Sequence, residues 1–535
     1  MNKQSTRLFI TFFVSLLLLV QTATAQYSIP SKMDWWYKAR FGMFIHFGSY
    51  SYLGRGEWAY FTDIPVWTKS TYQTDVTSNF NPIDFNAGTI ARLARNAGMK
   101  YLVITAKHHE GFSMWDTEAE SFKDVTGTYD YDLPGFTQFT ERDILQELKD
   151  SCEAYGIKFC LYYSIMDWCH SSQEVNRSTY FSDMASFSAR TDYINEMKLQ
   201  VQELITKYQP AVLWFDGDWT YKSDSPTLTK WWTRDDGIDL YNYVIELDSN
   251  IIVNERVCRG FNLADFECPE REIPDSPRSR QWETCQTMNN SWGYNSSDNS
   301  YKTPKTIIQE LVKVVSRDGN YLLNIGPKGD GTVPSQSSEI LESVGEWMTI
   351  YGESIYGATR SPFDDEPSWG FITGKTGRIY LHVFNWPANE LLTVPMPLET
   401  VKKIYLMNDS TILLNYRYEE NNIIINVPDN APNSYNSVIV MDFAGEPATT
   451  FKISKIDNNI SLFPNPIDDG ILNIKQTESS TFDINIYNIY GQTLLSRKMS
   501  GKHLVIDVSA MLPDVYSVKV SNGEKVIIRK FIKNR

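Results

Sequence analysis

Cysteine and histidine are scarce in this chain, with six of each among 535 residues. No apolar run reaches the roughly 20 residues that a membrane-spanning helix needs. Long runs of lysine and arginine are absent too, and the formal net charge is -15. Each shortage excludes something. Six cysteines are too few to staple a chain of this size, so most are expected to be buried thiols, with Cys258 and Cys268 the first pair to test for a disulfide. His382 and His503 fall outside the main strand-helix region. The remaining His46, His108, His109 and His170 show no His-x-His or His-Glu-x-x-His spacing, so no metal is expected and neutral imidazoles facing hydroxyls fit better. An acidic chain without a basic stripe is a poor partner for nucleic acid, whose binding is dominated by phosphate neutralisation.

Aromatic residues, by contrast, are plentiful: they make up 14%, with 15 Trp and 31 Tyr. Such a chain suits a neutral polar ligand with flat apolar faces, which is a description of a sugar. The N-terminus carries Lys3 and Arg7, an apolar run from Leu8 to Val20, and Ala23-Thr24-Ala25 before Gln26. This is the layout of a cleavable secretory signal over residues 1–25, and no integral membrane segment is expected in the mature chain.

From about Asp34 to Thr359 short apolar strands alternate with amphipathic helices. Strands are predicted at Phe41 to Phe47, Tyr101 to Ala106, Ile157 to Tyr163, Ala211 to Phe215, Ile251 to Asn254, Gln281 to Thr284 and Tyr321 to Ile325. Helices are predicted at Asn86 to Asn96, Glu141 to Tyr155, Tyr193 to Tyr208, Gly237 to Leu247 and Pro304 to Val315. In the last, Thr303 before Pro304 starts the helix, Ile307, Ile308, Leu311, Val312 and Val315 form one apolar stripe, and Asp318-Gly319 ends it. The fold class is therefore α/β: a (β/α)8-like, TIM-type barrel over residues 26–359. Beyond it, alternating strands at Arg378 to Phe384, Ile423 to Val427 and Ser437 to Met441 predict a β-sandwich over 360–447. A break near Leu462-Phe463-Pro464-Asn465-Pro466 precedes a small β-sandwich over 458–535, with strands from Phe482 to Tyr490 and a hairpin folded at Asn522-Gly523.

The segment Ala211 to Trp219, AVLWFDGDW, is the most informative stretch for chemistry. Val212, Trp214 and Asp216 share one face of a strand, and Asp216-Gly217 turns the chain at its C-terminal tip, where active sites of such barrels lie. His46, His108, His109, Tyr163, Arg256 and Glu283 also end strands, so the barrel gathers them. Two carboxylates on different strand tips suit glycoside hydrolysis, with Asp216 attacking the anomeric carbon and Glu283 serving as acid and then base. Burial beside Trp282 and Trp292 would keep Glu283 protonated, while Arg256 would keep Asp216 ionised. Glu57, Glu255, Glu267 and Glu270 stay open as rivals for the acid.

The motifs HFG at His46, GEW at Glu57-Trp58, KHHEGF from Lys107, YYS at Tyr162, WFDG at Trp214, WETC with SWGYN from Trp282 to Asn295, and GNYLLNIGP from Gly319 occur in one order. Over residues 30 to 445 the chain thereby resembles the alpha-L-fucosidases of glycoside hydrolase family 29. The resemblance implies a secreted, exo-acting retaining enzyme that removes terminal fucose from glycans without metal or cofactor, with Asp216 as nucleophile and Glu283 as the acid/base carry-over. It implies a fucose pocket lined by His46, Glu57, Trp58, His108, His109, Tyr163, Trp214 and Arg256, with Trp292 near the sugar's methyl group. Trp219 resembles the broader-specificity subgroup, and Glu110 departs from the Asp that the family often carries. A fucose-binding barrel without catalysis, or a glycosidase for another sugar, are the competing readings. From Leu462 the tail resembles the sorting domain of type IX secretion, which implies that machinery as a partner and export through the outer membrane.

Overall fold

The computed structural model describes residues 29–534 apart from short breaks, the longest at 220–230 and 444–459. The signal segment expected at 1–25 and the Asn522-Gly523 turn lie outside the described residues.

Seven parallel strands form the main sheet: β1 (Phe41–Ile45), β2 (Tyr101–Lys107), β3 (Lys158–Ser164), β4 (Val212–Asp216), β5 (Ile252–Val253), β6 (Glu283–Thr287) and β7 (Asn320–Ile325). Their spatial order is β5-β4-β3-β2-β1-β7-β6. The gap between β5 and β6 is bridged by the segment 266–270, through parallel bridges Asn254 to Phe266, Glu267 to Trp282 and Glu270 to Cys285. The result is a TIM-type barrel with one irregular stave. Sequence periodicity missed that stave, because Phe266-Glu267-Cys268-Pro269-Glu270 is short and holds a proline, which lacks the donor that a ladder needs.

Strand alternation sorts the side chains into two cores. Phe44, Val103, Tyr162, Val212, Trp214 and Leu322 point into the barrel and pack with Trp36 beneath them. Met43, Leu102, Leu161, Tyr163, Leu213 and Phe215 point outward against the helices. Because the side-chain period of a strand is two, Tyr162 and Tyr163 occupy opposite faces.

The predicted helices are present as Ala87–Asn96, Ile144–Tyr155, Phe187–Tyr208, Arg234–Leu247 and Pro304–Ser316. Side-chain caps start them: Asn86 accepts from the Thr89 amide, and Thr303 from the Thr306 amide. One long helix, Ser335–Tyr351, was not foreseen. Its opening Ser-Gln-Ser-Ser is polar and Gly345 interrupts its apolar stripe, which reads as a breaker. The glycine is there for a packing reason. A Cβ at position 345 would lie 2.2 Å from the Asn96 carbonyl oxygen, so the helix Ala87–Asn96 can approach only a bare backbone.

Beyond the barrel, a five-stranded antiparallel sheet runs Gly370–Lys375, Arg378–Val383, Ser437–Phe443, Val401–Leu406, Asp409–Leu413, and a three-stranded one runs Leu391–Pro395, Asn422–Asn426, Tyr416–Glu419. Ile372, Leu381, Ile439 and Met441 of the first meet Leu392, Val394, Ile423 and Ile425 of the second in one core, as in a sandwich. The C-terminal strands, among them Ile471–Tyr487, Thr493–Asp507, Asp514–Ser521 and Val526–Lys533, form another antiparallel sheet around Leu472, Ile484, Ile506, Val518 and Phe531.

No disulfide joins any of the six cysteines, all of them buried, so the Cys258-Cys268 expectation is corrected. Cys258 faces the Thr233 carbonyl, whereas Cys268 packs inside the barrel with Cys160 and Cys285.

Gly345→Ala is expected to destabilise the barrel by about 1–3 kcal/mol through overpacking, even though alanine is the better helix former. Thermal unfolding should show a midpoint lower by several degrees; an unchanged or raised midpoint would contradict the close approach.

Candidate active site

Asp216 is the last residue of β4, level with Ser164 on β3. Gly217 then turns the chain with φ 81°, and a Cβ there would meet Met166 at 2.9 Å. The turn leaves the Asp216 carboxylate at the C-terminal mouth. Its Oδ1 accepts from Arg256 Nη1 at 3.2 Å and Arg259 Nη2 at 2.5 Å, and its Oδ2 accepts from the Tyr162 hydroxyl at 3.3 Å. Burial alone would raise its pKa, but Arg256 and then Arg259 outweigh this and hold the carboxyl well below the usual carboxylate range.

Arg256 is buried over the Trp214 ring, 4.6 Å from its centroid. While Nη1 faces Asp216, Nη2 donates to Glu270 Oε2 at 3.0 Å. Glu270 ends the irregular stave and keeps 42% of its side chain exposed. One guanidinium therefore spans two carboxylates, one sealed and one open to solvent.

Glu283 is elsewhere, and the sequence-based expectation for it needs correcting. It opens β6 at the N-terminal end of the barrel, two residues below Cys285, which bridges to Glu270. Its Oε1 accepts from the Trp214 indole at 3.2 Å and its Oε2 from the hydroxyl of Tyr101, the first residue of β2. At 1% exposure it lies under Trp214, on the opposite side of that ring's strand from the mouth. Burial pushes its pKa up to about 7, offset in part by the hydrogen bonds from Tyr101 and Trp214. The neighbours are thus not Trp282, whose indole donates to the Arg317 carbonyl, nor Trp292. A raised pKa alone did not make Glu283 an acid for chemistry at the mouth, because position decides first.

Tyr163 also requires correction. Its hydroxyl donates to Gln200 on the helix side at 2.8 Å, and its ring covers the buried Lys107 ammonium at 4.5 Å. The pocket tyrosine is Tyr162, stacked on Trp214 at 5.6 Å and on His108 at 5.6 Å. A carry-over displaced by one residue changed the face.

The other expected residues do converge. His46 and His108 have ring centroids 5.7 Å apart, and His108 and His109 4.1 Å. Asn324 fixes one tautomer: its amide donates to the Trp292 carbonyl at 2.7 Å, so its oxygen takes the proton on His46 Nδ1 at 2.7 Å. Nε2 of His46 is left as an acceptor for a hydroxyl, and burial lowers the His46 pKa to about 3, keeping the ring neutral. In the same way Ser164 donates to the Met166 carbonyl and accepts from His109 Nδ1 at 2.7 Å, leaving His109 Nε2 facing Asp216 Oδ2 at 3.9 Å. Glu57 accepts from the Gly293 amide at 2.7 Å and so ties its loop to that of Trp292. Trp292 lies 5.1 Å from His46, while Trp58 stacks on Trp219 at 5.7 Å beside His109. Trp214 is the floor. Apolar walls with convergent neutral donors and acceptors suit a monosaccharide.

At the mouth the structure also places Glu270, one of the rivals left open, which the sequence could have located there only by putting 266–270 in the barrel. Arg259 carried no signal beyond lying three residues after Arg256.

A paired-carboxylate pocket at the mouth of a TIM-type barrel defines a glycoside hydrolase. Residues 20–353 match the family model described as Alpha-L-fucosidase, and residues 461–534 match that of a secretion system C-terminal sorting domain. The alpha-L-fucosidase of Dictyostelium discoideum is 28% identical over 476 residues, covering 80% of this chain and 97% of that protein. Human tissue alpha-L-fucosidase is 29% identical over 398 residues, covering 68% and 78%. Alpha-L-fucosidase isoenzyme 1 from Paenibacillus thiaminolyticus superposes with a TM-score of 0.66 at 29% identity, covering 78% of this chain and 99% of that one. A GH29 alpha-L-fucosidase from Bacteroides thetaiotaomicron, trapped as a covalent intermediate with 2-fluoro-fucosyl fluoride, superposes with a TM-score of 0.68 at 26% identity, covering 78% and 97%. The chain belongs to the alpha-L-fucosidase family, and its C-terminal sorting domain marks it for export.

Tyr162→Phe is expected to lower kcat/KM for an aryl fucoside by roughly 10- to 150-fold, the worth of one hydrogen bond to a charged group. Tyr163→Phe should leave kcat/KM within about twofold and cost about 1 kcal/mol of stability through the lost Gln200 bond. Steady-state kinetics on the two variants checks the assignment, and the reverse pattern would refute it.

Proposed function

We propose that this enzyme is an exo-acting, retaining alpha-L-fucosidase in which Asp216 is the nucleophile and Glu270 the acid/base. The observation that carries this reading is Arg256, which holds Asp216 on one nitrogen and Glu270 on the other. The bridge brings the two carboxylates to one mouth, as a pair acting on a single glycosidic bond must be. Their environments differ as the chemistry asks. Asp216 is sealed, doubly contacted by cations and ionised; Glu270 is open to the solvent from which water must come.

In the first step the Asp216 Oδ2 forms a bond to the anomeric carbon while the aglycone oxygen leaves with the Glu270 proton. In the second, Glu270 takes a proton from water, whose oxygen bonds to the anomeric carbon as the Asp216 ester bond breaks. Two inversions give net retention, and the covalent intermediate trapped in the Bacteroides thetaiotaomicron relative supports the same course here. His46 and His109 would meet sugar hydroxyls as neutral rings, with His108 between them, Glu57 and Arg256 at the pocket's edge, Trp58 and Trp292 as walls and Trp214 beneath. Fucosylated glycans are the substrates this pocket fits. The tail from residue 458 would pass the chain to type IX secretion machinery after a signal segment at 1–25 had brought it to the periplasm, and from there to the surface or the medium.

Asp216→Gly should lower turnover of an aryl fucoside by about 10⁴-fold or more, with azide restoring it as the β-fucosyl azide. Retained activity would reject the nucleophile. Glu270→Gln should cost about 10²–10⁴-fold on poor leaving groups and little on dinitrophenyl fucoside, which needs no proton, whereas Glu283→Gln should show no such dependence. A leaving-group series measured on both variants decides between them.

Glu283 also predicts a pH effect on stability. Its folded pKa lies above the usual value of 4.5, so the fold binds the proton more tightly than the unfolded chain. That contribution is complete below about pH 4.5 and is lost as pH rises through about 7. Glu283→Gln should therefore gain stability relative to the parent across this window in denaturant titrations; a constant difference would contradict the assigned burial.

A further inference from the structure

Asp216 carries one guanidinium more than a bridged carboxylate pair requires. Arg259 Nη2 donates to the same Oδ1 that accepts from Arg256, at 2.5 Å against 3.2 Å. It is not there by chance orientation of a long side chain. Asp218, 4% exposed, accepts from the Arg259 backbone amide at 2.6 Å and forms an ion pair with its side chain, 3.2 Å from Nε, so the arginine is held at its backbone and near its head group. The guanidinium also sits 5.8 Å from the Trp219 ring centroid. Among the described residues, the remaining groups facing Asp216 are the Tyr162 hydroxyl and His109, both on Oδ2, and the Gly217 amide. Among the described residues the two oxygens are thus unlike: Oδ1 is occupied by two cations, while the side chains on Oδ2 are polar and neutral.

On the reading that Asp216 is the nucleophile, we infer that Arg259, fixed by Asp218, is a positioning residue that favours the second half of the reaction, cleavage of the fucosyl-Asp216 ester by water. The reasoning follows the charge. When Oδ2 bonds to the anomeric carbon, the carboxylate loses its negative charge, and a cation fixed on Oδ1 opposes that loss. When water bonds to the anomeric carbon and the C–Oδ2 bond breaks, the electron pair returns to Asp216, and the same cation lowers the barrier. Arg259 trades speed in forming the intermediate for speed in releasing it. It also leaves Oδ2 as the attacking atom, because Oδ1 is blocked.

The test uses the full chain with dinitrophenyl α-L-fucoside, whose leaving group makes ester cleavage the slow step. Arg259→Gln should lower kcat by about tenfold, one pKa unit's worth of leaving-group stabilisation, and lower KM in parallel. Then kcat/KM, which reports formation of the intermediate, is no lower than the parent's. Acid-quenched Arg259→Gln should carry one fucosyl group by intact mass, and Arg259→Lys should recover part of kcat. A fall in kcat and kcat/KM together with no adduct would show a merely structural role and overturn the inference, as would unchanged kcat. Failure of the underlying reading looks different: the parent enzyme would then take up no label from 2-fluoro-fucosyl fluoride, and Asp216→Gly would still turn over.

Discussion

A single buried guanidinium organises the mouth of this barrel. Arg256 has been taken out of water, so the cost of burying its charge must be offset by close, well-aimed partners. It finds them in Asp216 and Glu270, the Cys268 carbonyl and the face of Trp214. Those partners come from two separate pieces of chain: β4, which carries Asp216 and Trp214, and the irregular stave at 266–270. The cation thereby sets the spacing of the acids and the charge of one of them.

Around this point the fold separates two kinds of carboxyl by depth. Asp216 and Glu283 are both nearly inaccessible, yet their outcomes are opposite, because two close cations outweigh burial at the first while burial outweighs its hydrogen bonds and the more weakly felt Arg256 at the second. Glu283 braces Trp214 from below through the indole N–H. The floor of the sugar pocket is therefore held by an acid that the sugar does not meet.

Much of this was legible in the residues. All seven regular barrel strands and five of the long helices follow from apolar periodicity, and the inward parity of Val212, Trp214 and Asp216 placed the Asp216 carboxylate at the mouth. What escaped has physical causes. The stave carrying Glu270 is too short and proline-broken to show a period, so its carboxylate could not be ranked above the one in a clear strand. Glu283 drew attention as a strand residue followed by Thr-Cys, but it begins its strand and so faces the barrel floor. Tyr162 and Tyr163 are indistinguishable by type, and only the register, with Tyr162 level with Trp214, says which faces inward. The helix Ser335–Tyr351 was hidden by a glycine whose purpose is another helix's proximity.

The state of the sulfur atoms bears on how such a chain travels. Thiols react as thiolates, and those of Cys160, Cys268 and Cys285 are kept protonated by burial inside the barrel, while burial lifts Cys152 to about 12. A molecule marked for export meets oxidising surroundings, where unfolded thiols cross-link at random. Once this one has collapsed, its sulfurs are beyond the reach of oxidants, and it needs no isomerase to reach the right pairing because the right pairing is none. Oxidative damage in transit then becomes a contest between folding rate and oxidation rate, settled before the enzyme arrives at its destination.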